Sequence, residues 1–166
     1  MSGSTAVADD ADEIDQSVDE ALERFRTQVK GASDYLSAAN GVLVIPEVKK
    51  MGLVLAGQWG EGALRIGKEN TAYYKMNTGS LGFQGGYQEA DFVFVFFTDK
   101  ALDDFRRADK WTVGAESGIT IVEKGFGGSV DTLKSQNPVA GFAFGKKGLM
   151  AGWSLKGTKF TRFTPK

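Results

Sequence analysis

The spacing of apolar residues changes once along the chain, near Gly41. Before it, Ile14, Val18, Ala21, Leu22, Phe25, Val29, Ala32 and Leu36 recur every three or four positions, the repeat of one helix face. Acids early in this stretch suit a helix N-terminus, and Glu20–Arg24 and Glu23–Arg26 stand at spacings where opposite charges support a helix. Gly31 ends or kinks this helix, and Ser33 caps a short second one to about Ala39. The polar face is acidic, whereas helices that lie in a membrane interface carry basic residues there. The apolar face is therefore expected to pack on the body of the protein. Residues 1–10 lack the pattern and read as a disordered tail, leaving 11–166 as one domain.

Beyond Gly41 short apolar runs are cut at close intervals by glycine, a pattern that suits bent strands and costs a helix about 1 kcal/mol per glycine against alanine. The expected strands are 41–45, 51–59, 62–68, 71–76, 79–88, 91–97, 111–122, 139–145, 148–155 and 158–163. Turns are read at Lys68-Glu69-Asn70 and at Gly145-Lys146-Lys147-Gly148. One later helix is expected near 99–108, with Ala101, Leu102, Phe105 and Ala108 as its apolar stripe and Thr98 or Asp99 as its cap. The fold class is α+β: a curved antiparallel β-sheet or partial barrel with a long N-terminal helix and a second helix near 99–108.

Composition narrows the chemistry. The 166 residues include neither cysteine nor histidine. Serine–histidine and cysteine–histidine nucleophiles, thiolate or imidazole zinc sites and disulfides are thereby excluded. Asp99, Asp103 and Asp104 cluster, but Asp103 faces Arg106 and Arg107 at helical spacing, which reads as an exposed salt-bridged face. Glu61, Glu89 and Asp91 show no spacing that would make them an acid–base pair. The segment Gly62 to Lys68 fits G-x-x-x-x-G-K, yet Glu69 stands where Ser or Thr would ligate magnesium, and a strand rather than a helix follows. No nucleotide is expected. Aromatic and basic residues interleave over Lys156 to Phe163, but the chain has no dense basic stripe, so no nucleic acid is expected either. Neither catalysis nor a cofactor is foreseen.

Charge is uneven. Residues 1–40 carry nine acids against three bases, and residues 41–166 carry seventeen bases against twelve acids, net −6 and +5. The basic pairs Lys49-Lys50 and Lys146-Lys147 fall at expected turns beside apolar strands. Such turns are either ordinary solvated surface or contacts to lipid phosphate, worth about 1 kcal/mol per lysine near an anionic membrane. The longest clean apolar run, Phe92 to Phe97, is far short of the ~20 residues a spanning helix needs.

Six segments in order resemble the SYLF domain, a lipid-binding module. They are Ala38 to Pro46 with Lys49-Lys50-Met51-Gly52; Trp59-Gly60-Glu61-Gly62; and Gly79-Ser80-Leu81-Gly82-Phe83-Gln84-Gly85-Gly86. Then come Asp91 to Phe97, the helix with Ala101-Leu102, and Lys147 to Leu155. The resemblance runs from Ala39 to about Phe163. It implies a non-catalytic module that binds phospholipid, phosphoinositides in eukaryotic members, with an anionic phospholipid or membrane surface as partner. Lys49, Lys50, Lys146 and Lys147 are the candidate phosphate contacts. A standalone domain is similar to the bacterial branch, which implies a periplasmic or outer-membrane-anchored lipoprotein of the cell envelope. Met1 to Val7 lack the basic and apolar regions of a signal peptide, so a leader is expected only in the native precursor. The alternative is a structural or protein-interaction module of the envelope without a lipid ligand. The acidic leading helix departs from the eukaryotic pattern and leaves the turns and glycine-rich strand ends as contact points.

Overall fold

The structure, a computed structural model, describes residues 11–51, 57–78, 87–113, 119–122, 129–150 and 157–165. The chain begins with helices α1 (Ala11–Gln28) and α2 (Ala32–Ser37). Strands β1 (Gly41–Met51), β2 (Gly57–Ile66), β3 (Glu69–Thr78) and β4 (Tyr87–Phe96) follow. After α3 (Asp99–Arg107) come β5 (Lys110–Thr112), β6 (Ile119–Val122), α4 (Val130–Gln136), β7 (Val139–Gly145), β8 (Gly148–Leu149) and β9 (Lys159–Phe163). These nine strands form one strongly curved sheet in the order β5-β9-β3-β2-β1-β4-β7-β6, with β8 also paired to β7. All pairings are antiparallel except β6–β7, which is parallel and is joined through α4. A parallel neighbour requires such a crossover. Among the described residues no helix is long and apolar enough to cross a membrane.

The sheet buries both faces, and strand alternation explains how one apolar run serves two cores. Val42, Val44, Val93, Val95, Phe142 and Phe144 point to one side, where Ile14, Val18, Ala21, Leu22 and Phe25 of α1 cover them. Phe25 packs its ring 5.1 Å from Phe142 and 5.2 Å from Phe144. Leu43, Ile45, Phe92, Phe94 and Phe96 point to the other side, with Tyr74, Met76 and Phe160. There α3 contributes Phe105, centred 4.6 Å from Tyr74, 5.1 Å from Phe96 and 5.3 Å from Trp111. Each such ring, fully buried, contributes about 2–3 kcal/mol of transfer free energy. The expected core role of the α1 face is what the structure has. Its acids also have partners: Asp19 pairs with Arg65 at 2.5 Å, and Asp15 accepts from Asn70 Nδ2 at 2.6 Å and Tyr73 Oη at 2.8 Å. Two acids of this face are thus turned toward the β2–β3 hairpin. Of the expected helix pairs, Glu23–Arg26 stands at 4.0 Å, while Arg24 turns to Asp91.

Several expected boundaries shift. Strand 41–45 does not stop at Pro46: β1 continues to Met51 through a bulge. Ile45 and Val48 oppose Phe92 and Ala90, so β1 spends three residues where β4 spends two. Pro46 is tolerated at this irregular point, and Glu47 adopts φ 53°. Trp59-Gly60-Glu61-Gly62 is no break between strands 51–59 and 62–68 but the interior of β2. Gly62 is required there. A Cβ on it would lie 1.8 Å from the Val44 carbonyl oxygen and 2.8 Å from Ile45 Cα, because the bulge drives β1 backbone into its neighbour. The β2–β3 turn is Gly67-Lys68, one residue earlier than expected, and it leads into a strand, as the rejection of a phosphate loop required.

The expected strand 111–122 is two strands at opposite ends of the sheet, β5 and β6. Strand 79–88 falls mostly, and 148–155 largely, outside the described residues, as does the tail 1–10. Ser33 does not cap α2, which starts at Ala32 directly after Gly31. Thr98 does cap α3, its Oγ1 accepting from the Ala101 N–H at 3.1 Å. Asp103 is not the salt-bridged acid of α3: Asp104 takes Lys100 at 2.9 Å and Arg107 at 2.8 Å. These two cations hold the Asp104 carboxyl below its usual pKa. Helix α4, which the sequence reading omits, is capped by Ser129, whose Oγ accepts from the Thr132 N–H at 3.3 Å.

Candidate functional site

The predicted site residues lie on β1 (Lys49, Lys50) and in the turn between β7 and β8 (Lys146, Lys147), with β4 between β1 and β7. Lys49 pairs with Glu89 and Lys50 with Gln88. On the other side of β4, Asp91 pairs with Phe144. Continued two residues, that register brings Lys146 level with Glu89. Lys49 and Lys146 therefore occupy one level at one end of the sheet, two strand spacings or about 10 Å apart. The sequence expectation of two turns is half right. Lys146-Lys147 is an exposed turn between β7 and β8, whereas Lys49-Lys50 lies inside β1, paired on both sides. The bulge at Pro46-Glu47 carries the strand past the point where proline ends the apolar run.

The turn is held firmly. Gly148 closes it with φ 99°, and a Cβ there would stand 3.1 Å from the Gln28 carbonyl at the end of α1. A left-handed residue pressed against helix backbone leaves little room for anything but glycine. Two exposed carboxylates, Glu47 and Glu89, share this end with the four lysines.

The bulge beneath it is fixed by an ion pair. Arg24 Nε and Nη2 donate to Asp91 Oδ2 and Oδ1 at 2.7 and 2.9 Å, and the Glu47 backbone N–H donates to Oδ1 at 3.0 Å. Asp91 is only 5% exposed. One buried carboxylate thus satisfies an amide that the bulge removes from the ladder and anchors α1 over it. The hydrogen bond from Arg24 to Asp91 raises the arginine pKa further, against the opposing effect of burial. This role was hidden in sequence, where Arg24 reads as the partner of Glu20 and Asp91 as one of three scattered acids. Of the three acids weighed in the sequence, Glu61 lies 3.9 Å from Lys75 and Asp91 is paired with Arg24. Among the described residues no group of three or more His, Cys, Asp or Glu is placed to hold a metal ion.

The described residues thus build a strongly curved, mostly antiparallel sheet with α1 packed on one face and α3 on the other. The model of one protein family, described as "Ysc84: Las17-binding protein actin regulator", matches residues 77–164. That span is more than half of the chain, and the protein belongs to this family, the SYLF domain family. The match begins at the end of β3 and runs past β9, so it includes Asp91, Lys146 and Lys147. The Gly41–Gly62 segment precedes it. No curated protein matches the chain.

Proposed function

We propose that this domain binds phospholipid without catalysing a reaction on it. It meets an anionic membrane surface with the sheet end that carries Lys49, Lys50, Lys146 and Lys147. The observation that carries this reading is the strand register, which gathers two lysine pairs nearly a hundred residues apart onto one end. Four lysines near an anionic surface supply about 4 kcal/mol, enough for reversible attachment that weakens with salt. Location at the cell envelope, as a periplasmic or outer-membrane-anchored lipoprotein, belongs to the same proposal and rests on the resemblance to bacterial members of the family. A second reading, a protein-interaction module without lipid, has support in the family's description, which names a protein partner.

Sedimentation with phosphatidylglycerol vesicles tests the proposal. Wild type is retained at low salt and released at high salt, and neutral phosphatidylcholine vesicles retain little. The quadruple Lys→Ala variant at 49, 50, 146 and 147 is retained less. Equal retention of variant and wild type removes the lysines from the site. No retention on any vesicle leaves the protein-interaction reading.

A further inference from the structure

A second cationic feature lies away from the lysines. The last turn of α3, the end of β9, the start of β3 and the first residue of α1 enclose an open cleft of about 810 Å³. Arg106, Arg107 and Arg162 line it, opposed by Asp103, with Tyr73 and Phe163 on the wall. Tyr73 lies four residues along the strands from the level of Lys49, about 14 Å, and two strands beyond β1.

Helix polarity accounts for basic residues in the last turn of α3. It does not bring a third guanidinium from β9. Arg162 reaches the end of α3: its Nη2 donates to the Arg106 carbonyl and to Tyr74 Oη at 3.3 Å, and its guanidinium stands 5.8 Å from the Tyr74 ring. Its backbone N–H donates to the Asp109 carbonyl at 3.1 Å. These acceptors occupy Nη2 alone, out of a group with five N–H donors. Arg107 gives Nη2 to Asp104, which also has Lys100. The Arg106 guanidinium has no carboxylate partner among the described residues. Arg107 is thus neutralised in part by Asp104, Asp103 faces the cleft and Asp15 holds the Tyr73 hydroxyl, which leaves Arg106 and Arg162 as the two guanidiniums without a carboxylate partner among the described residues; a multiply charged anion can bridge them. Guanidinium groups take phosphate oxygens in pairs of parallel hydrogen bonds.

We propose that this cleft is a binding site for a phosphomonoester or pyrophosphate dianion, held by Arg106, Arg107 and Arg162. It goes beyond the lysine-mediated surface attachment and uses different residues. Phosphodiester lipids offer a single charge to a surface, whereas a terminal phosphate can enter the cleft and be gripped from several sides. The aromatic wall suits the carbon skeleton that carries it.

Calorimetric titration of the full chain with sodium pyrophosphate at low ionic strength tests this. Wild type binds, and R106Q/R107Q weakens binding by about tenfold or more, as loss of charge-assisted contacts requires. Both side chains are exposed, so the variant is expected to keep the wild-type circular dichroism spectrum. The quadruple lysine variant binds pyrophosphate as wild type does. Absence of pyrophosphate binding, or equal affinity in R106Q/R107Q, overturns the site and leaves the lysine reading untouched. Vesicles of phosphatidylcholine with phosphatidic acid identify the source of the phosphate. If pyrophosphate binds and the arginine variant loses retention on the phosphatidic acid vesicles but not on phosphatidylglycerol vesicles, the cleft takes a lipid headgroup. If pyrophosphate binds and the arginine variant is retained as wild type is, the cleft takes a soluble phosphate. Both results uphold the site.

Discussion

Replacing Asp91 by alanine removes the acceptor of three hydrogen bonds at once, two from Arg24 and one from the Glu47 amide. Loss of one member of a buried ion pair costs about 3–5 kcal/mol. Here the Arg24 side chain is 34% exposed and can turn to water, which lowers the pair's share below that range, to about 2–3 kcal/mol. The Glu47 amide, left unpaired beside the bulge, adds about 1 kcal/mol. D91A is therefore expected to cost about 3–4 kcal/mol, a large part of a typical domain's 5–15 kcal/mol. D91N keeps an oxygen for the amide but not the charge, and is expected to cost about half as much. Urea unfolding followed by circular dichroism reads these differences as shifts in midpoint at constant slope. In the R24A/D91A double variant the losses are not additive, with coupling of about 2 kcal/mol. A D91A cost below about 0.5 kcal/mol, or zero coupling, refutes the reasoning, because that is the behaviour of an exposed pair.

Two further predictions follow from the same region and its neighbour. Gly62→Ala places a methyl on the Val44 carbonyl oxygen, and backbone cannot yield as a side chain can; the cost is expected to be at least about 3 kcal/mol, and a urea midpoint near wild type contradicts the bulge geometry. Tyr73 is pushed up to about 12, first by burial and then by its hydrogen bond to Asp15. The unfolded chain ionises near 10, so this contribution to stability is whole below about pH 10 and is lost as pH rises toward 12. Titration of phenolate absorbance checks it: D15N lowers the Tyr73 midpoint in part, and no change in that variant removes Asp15 as a cause.

The helix–sheet division, the α1 core face, the Thr98 cap and the rejection of a phosphate loop at Gly62 were legible in the sequence, because each rests on local periodicity or local turn chemistry. What was not legible is what long-range pairing decides. Pro46 reads as a strand end, yet the strand continues because Asp91, 44 residues on, takes the freed Glu47 amide. Residues 111–122 read as one strand, yet β9 claims its start and β7 its end. Helix α4 has one buried leucine, Leu133, in seven residues, too little periodicity to register. The lysine pairs were visible as charges beside strands. Only the β1–β4–β7 register places them on one end, and only the packing of α3 against β9 assembles the three arginines.

Lysine reactivity with an acylating reagent, read residue by residue by mass spectrometry with and without phosphatidylglycerol vesicles, tests the proposed lipid-contacting face most directly. Lys146 and Lys147 are expected to lose reactivity when anionic vesicles are present, together with Lys49 and Lys50. Lys100, Lys134 and Lys159, exposed elsewhere on the fold, are expected to keep theirs. Neutral vesicles are expected to protect none of them. Protection centred on Lys100, Lys134 or Lys159, or unchanged reactivity of Lys146 and Lys147 in vesicle-bound protein, contradicts the account.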